Sequence, residues 1–141
     1  MATLKVEIVS PEAALWVGEA TALIARSSDG EFTILPQHTA TVGDIVSGVV
    51  RVQTSEGELG FAVHGGYFQV GTSDVEGETL ATVLAGVAEE TTKIDVARAQ
   101  AAKEAAEAEI AELTRGDHTH ASLGSAQAAL ARAELRLAAA K

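Results

Sequence analysis

The sequence predicts a β sandwich or barrel of eight to ten short strands over residues 1–90, followed by a C-terminal antiparallel α-helical hairpin over residues 91–141. Three features point there. Apolar residues alternate at period two in "LKVEIV", and turn-forming clusters recur at short spacing in "SSDGE", "TSEGE" and "GTSDVEGE". After Thr92 the composition shifts, and 17 of the 49 residues from Lys93 to Lys141 are alanine.

In the first strand Leu4, Val6 and Ile8 share one face, which assigns them to the core. Trp16, the one tryptophan, lies between Leu15 and Val17 and belongs to the core or to a partner-facing surface, as does Tyr67. "FAVHGGYFQV" and "TLATVLAG" are β-branched and aromatic runs bounded by glycine, and Gly65-Gly66 marks a bulge or a close backbone approach. His64, inside such a run, reads as packed or edge-exposed rather than catalytic.

Thr92 followed by Asp95 nearly matches a capping box, so a helix is predicted from about Lys93 to about Leu113. "TRGDHTHASLGS" breaks it, and a second helix runs to about Ala140. Alanine favours helix but buries little apolar area, so the hairpin forms easily and grips weakly. Its larger anchors are Ile94, Ile110, Leu113, Leu123, Leu130, Leu135 and Leu137. Two outcomes fit: an ordinary well-packed helix pair, or an element able to detach from the β domain without unfolding.

Composition excludes several functions. At 141 residues the chain holds one ordinary core and an appendage, not a large multidomain enzyme. It has no cysteine, which removes disulfides, thiolate metal sites and cysteine nucleophiles. Residues 1–92 carry 3 Lys+Arg against 13 Asp+Glu, whereas residues 93–141 carry 7 of each. That acidic surface repels phosphate backbones and argues against nucleic acid as a partner. The N-terminus lacks the features of a secretory signal, and no run approaches the ~18 apolar residues of a membrane span. The expectation is a soluble chain that is neither exported nor inserted directly in a membrane.

Two motifs remain as candidate sites. "GEFTILPQHT" puts a carboxylate and an imidazole, Glu31 and His38, on one loop stiffened by Pro36. It suits either catalysis, docking, or no role beyond a solvated turn. "ALARAELRL" supplies Arg132 and Arg136, four apart on one helical face. Forked guanidinium groups at that spacing suit a polyphosphate, and exposed ion pairs with Glu104, Glu107, Glu109 and Glu112 account for them equally well. His118 and His120 in "DHTH" form a weak metal pattern, better read as a polar turn. No phosphate-cradling loop and no nucleophile elbow is present in the sequence.

The order of β domain and helical hairpin, with "VEIVSPEAALWVGEA", "DGEFTILPQHT" and "FAVHGGYFQV", resembles the epsilon subunit of bacterial F-type ATP synthases over nearly the whole chain. The resemblance implies a non-catalytic rotor subunit of the central stalk, peripheral on the cytoplasmic face of the cell membrane. Its implied partners are the gamma subunit, the polar loops of the c-ring, and the alpha/beta catalytic head when the hairpin extends. It implies that Glu31 and His38 dock onto the c-ring, and that the hairpin brakes ATP hydrolysis. It also implies that Ile94, Asp95, Arg98, Ala99, Arg132 and Arg136 accompany regulatory ATP binding, with no cofactor required. Ala40 departs from the family, which often has proline there. Two other functions remain open on the residues alone: a stand-alone nucleotide-sensing adaptor, and a small hydrolase using Glu31 and His38.

Overall fold

The computed structural model describes residues 2–115 and 120–140, and the side chains of residues 120–122 lie outside that description. The chain divides into two compact units, Met1–Thr91 and Thr92–Lys141.

The first unit is a β sandwich. Its strands are β1 (Thr3–Val9), β2 (Ala14–Ala20), β3 (Ala22–Ser27), β4 (Gly30–Ile34), β5 (Thr41–Ile45), β6 (Gly48–Thr54), β7 (Gly57–Val63), β8 (Gly66–Thr72), β9 (Glu78–Ala85) and β10 (Ala88–Glu90). One sheet has the order β2-β1-β9-β8-β5 and the other β10-β7-β6-β3-β4. All pairings are antiparallel except β1 with β9, which is parallel. The period-two pattern behaves as predicted, since Leu4, Val6 and Ile8 are fully buried. Val83 and Phe68 of the same sheet join them in the core, and facing them from the other sheet are Leu23, Ile34, Val50, Val52, Phe61 and Val63. Each such side chain contributes roughly 1.5–3 kcal/mol on leaving water, which makes this core the main stabilising feature of the unit.

Strands β4 and β5 are each the last strand of their sheet, and residues 35–40 carry the chain from one to the other. One backbone bond and one side-chain carboxylate tie this side together. The Val46 N–H donates to the Arg26 carbonyl at 3.0 Å, and Asp44 accepts from the Ser28 N–H at 3.1 Å and its hydroxyl at 3.3 Å.

The Gly65-Gly66 pair is a close approach. Gly65 has φ +88°, and a Cβ on Gly66 would stand 2.2 Å from the Leu84 carbonyl oxygen. Only glycine lets β8 run that near β9.

The second unit holds α1 (Val96–Arg115) and α2 (His120–Ala139), each of 20 residues and so about 30 Å long. A turn of 3-10 helix, Thr91–Lys93, precedes α1. The predicted capping box is therefore corrected. Helix α1 begins only at Val96, so the cap is Asp95 itself: its carbonyl accepts from the Ala99 N–H at 2.9 Å and its Oδ1 from the Arg98 N–H at 3.0 Å. The predicted break also shrinks, because α1 runs on through Thr114 and Arg115, and α2 already includes residues 120–125. Thr114 Oγ1 donates to the Ile110 carbonyl and Arg115 Nε to the Ala111 carbonyl, so both side chains fold back on the last turns of α1. Ala99 and Ala106 on α1, and Ala126 and Ala133 on α2, are buried and seven residues apart within each helix. In an antiparallel pair this spacing sets Ala99 opposite Ala133 and Ala106 opposite Ala126, a seam of small side chains that permits close helix approach.

Candidate functional site

The segment containing Glu31 and His38 is a strand followed by a turn, and not the single loop the sequence suggested. Glu31 is the second residue of β4, its side chain exposed on the outer face of the second sheet. Arg51 of β6 reaches it across β3, with Nη2 to Oε2 at 3.5 Å, and lies 4.0 Å from Glu58 on the other side. Register explains this bridge: Arg51 stands beside Ile24 and Glu31 beside Arg26, two residues of β3 that share a face.

His38 lies beyond the other end of β4. The Leu35 carbonyl accepts from its N–H at 3.1 Å, closing a turn with Pro36 second and Gln37 third. Gln37 has φ +70°, so the turn is of type II, which usually puts glycine at that position. The Gln37 N–H donates to the Thr79 hydroxyl at 2.8 Å, and this tether to β9 holds the unusual dihedral. His38 Nδ1 is 2.7 Å from the Thr39 carbonyl oxygen, which can only accept, so Nδ1 carries a proton and Nε2 faces away. The turn and the β8–β9 connection enclose a cleft of about 430 Å³, lined by Gln37, His38, Thr72, Val75, Glu76 and Thr79. The four strand steps from Glu31 to Leu35 span roughly 13 Å. The structure therefore spreads Glu31 and His38 along the β4–β5 side of the sandwich and does not gather them at one point, as a general acid and base would require.

A second surface holds Tyr67, which the sequence left as core or partner-facing, together with Val9 and Leu84, which sequence reasoning did not single out. The outer face of the first sheet carries a row formed by Val9 of β1, Leu84 of β9 and Tyr67 of β8, adjacent by register. Tyr67 is 64% exposed and Leu84 46%. Val9, Pro11, Gly66, Tyr67 and Leu84 line an apolar cleft of about 270 Å³ there. The signal lay in "LATVLA": Leu80 and Leu84 fall on the parity opposite to the buried Ala81 and Val83, so β9 is apolar on both faces. Trp16 points the other way, toward the core, with its ring over Gly18.

In the helical unit Arg98 and Arg132 are exposed and Arg136 is half-buried. Arg98 is the third residue of α1, and Arg136 lies three residues before the end of α2, so antiparallel helices bring both to the same end of the hairpin. Ile94 and Ala99 are buried. Asp95 is committed through one oxygen to the helix cap. His118 lies outside the described residues, and no group of three metal-ligating side chains occurs among those described.

Comparison with known proteins covers both units. Residues 3–91 match the family model described as ATP synthase, Delta/Epsilon chain, beta-sandwich domain, and residues 92–141 match ATP synthase, Delta/Epsilon chain, long alpha-helix domain. The ATP synthase epsilon chain of Thermobifida fusca is 41% identical over 143 residues, covering 98% of this chain and 92% of its own. That of Alkalihalophilus pseudofirmus is 36% identical over 110 residues, 78% of each chain. A chain from the mitochondrial ATP synthase of Euglena gracilis, solved with its OSCP, F1 and c-ring parts, shares the fold with a TM-score of 0.76 at 20% identity, over 99% of this chain and 82% of that one. With the β sandwich and the helical unit both matched, and a 41% identical relative aligned over nearly its full length, the chain belongs to the ATP synthase delta/epsilon chain family.

Proposed function

We propose that this accessory, non-catalytic subunit of ATP synthase works as a central-stalk rotor element, joining the gamma subunit to the c-ring and restraining ATP hydrolysis through its helical unit. The carrying observation is the match of both units, in order, to the two domains of the delta/epsilon chain. In this reading the complex lies on the cytoplasmic face of a membrane and couples proton flow to ATP made by other chains.

The two surfaces divide the work. The apolar row of Val9, Tyr67 and Leu84 takes the gamma subunit, because an exposed tyrosine beside an apolar cleft has the character of an interface anchor. The β4–β5 side, from Glu31 to His38, takes the polar loops of the c-ring. Exposed Leu35 and Val42 on that side add apolar area to the contact. The Glu31–Arg51 pair is exposed and exchanges partners at a cost of about 1 kcal/mol or less, so Glu31 remains available to a basic group.

The helical unit acts as the brake. Its helices of about 30 Å reach far along gamma if they extend, and its alanine-rich seam is inexpensive to leave. ATP held by Arg98, Arg132 and Arg136 favours the closed hairpin, because only there do both helices supply guanidinium groups.

The test is ATP hydrolysis by the cognate alpha-beta-gamma complex, titrated with the full chain and with a chain ending at Thr92. Slowing by the full chain, and gamma binding without slowing by the shorter one, is the expected pair of results. Failure of both to bind gamma overturns the rotor assignment; binding of both without inhibition overturns the brake alone.

A further inference from the structure

Thr91 ends the sandwich unit with a buried hydroxyl that has no hydrogen-bond partner among the described residues. The residue is 1% exposed. Strand β10 pairs with β7 through Ala88 with Val63, Glu89 with Ala62 and Glu90 with Phe61. The next position in that register sets Thr91 beside Gly60, where the chain leaves the sheet and turns into the 3-10 segment. A Cβ on Gly60 would stand 3.0 Å from Thr91 Oγ1 and 3.1 Å from Cγ2. Glycine is thus what leaves room for the threonine side chain against the strand.

We propose that Thr91 seated over Gly60 is a latch that holds the short β10 strand on β7, and that its unpartnered hydroxyl keeps the latch weak. A valine has almost the same shape and would fill the notch without burying a polar group. Threonine instead carries a desolvation cost that is relieved as soon as residues 88–93 lift off and the hydroxyl meets water. Three ladder positions give β10 little hold of its own. This segment therefore opens more readily than the rest of the sandwich. Release adds residues 88–91 to the connection ahead of the helical unit, up to about 14 Å of extended chain. The regulatory value of that slack rests on the brake reading above; the latch itself does not.

The experiment is native-state amide hydrogen exchange on the isolated full chain, comparing wild type, Thr91→Val and Gly60→Ala, with β9 amides as internal reference. Thr91→Val should slow exchange across residues 88–93 roughly tenfold, the order expected when one unsatisfied buried hydroxyl is removed. Gly60→Ala should speed it by displacing Thr91, while β9 stays protected. Unchanged or faster exchange in Thr91→Val overturns the proposal, and that variant decides alone if Gly60→Ala fails to fold. Because no partner is present, loss of gamma binding in the assay above would leave this readout unaffected.

Discussion

The rings of Phe32 and Phe68 meet with their centroids 4.5 Å apart and their planes tilted by 32°, joining β4 of one sheet to β8 of the other. The same Phe68 ring fills the space over Gly43 of β5, where a Cβ would stand 2.5 Å from Cε1. One aromatic side chain thereby fixes the spacing of the two edge strands that carry the proposed c-ring surface. Phe68→Ala should cost about 3–5 kcal/mol, by loss of burial and the cavity left behind. Gly43→Ala should cost about 1–3 kcal/mol, because the ring must shift within a packed core. Urea unfolding of the isolated chain checks both; a neutral Gly43→Ala would mean that the ring has room the structure does not show.

Gly66 and Gly71 lie on the same strand and should respond to substitution very unequally. At Gly66 the obstacle is the backbone oxygen of Leu84, which no rotamer change can move, whereas a Cβ at Gly71 meets nothing within 4 Å. Gly66→Ala should destabilise by about 3 kcal/mol or more, and Gly71→Ala by less than about 1 kcal/mol. Thermal unfolding of the two variants side by side measures the contrast. Similar values would remove the close β8–β9 approach as the reason for the glycine pair.

The sandwich was legible because a strand with one buried face writes that fact at period two, as Leu4, Val6 and Ile8 do. Pairing was not legible, since nothing in "LKVEIV" says that its neighbours are β2 on one side and, in parallel, β9 on the other. The helix start was misplaced for a local reason. Thr92 and Asp95 are both good capping residues, but Thr92 lies inside the 3-10 turn Thr91–Lys93, which leaves the cap of α1 to Asp95. Glu31 and His38 were read as one loop because Pro36 drew attention to a turn. Phe32 and Ile34, which face the core on alternate positions, were the sign that a strand lay between them.

Separation of Glu31 and His38 along the β4–β5 side makes a testable difference to docking. Two sites more than about 10 Å apart contribute almost independently, within roughly 0.5 kcal/mol. Glu31→Gln and His38→Ala should each weaken binding of the gamma-bound subunit to the c-ring, and the double variant should show the sum. Glu31→Gln should also lower the salt sensitivity of binding, because it removes a charge, while changing the unfolding free energy by less than about 1 kcal/mol. A strongly non-additive double variant would mean that both side chains serve one contact.

Asp95 offers two roles that substitution can separate. As the cap of α1 it accepts from the Arg98 N–H, a function that serine also performs; as part of a nucleotide site its carboxylate would matter in itself. Asp95→Ala should cost the helical unit about 1 kcal/mol, and Asp95→Ser should restore most of it. Millimolar ATP should raise the unfolding temperature of the wild type and of Asp95→Ser alike, while Arg132→Ala/Arg136→Ala should lose the response without loss of helix. That result assigns the phosphates to the guanidinium groups of α2 and confines Asp95 to the cap. Loss of the ATP response in Asp95→Ser at normal helicity would place its carboxylate on the nucleotide. No response in the wild type would remove ATP from the brake altogether, leaving the hairpin to be governed by its weak alanine seam.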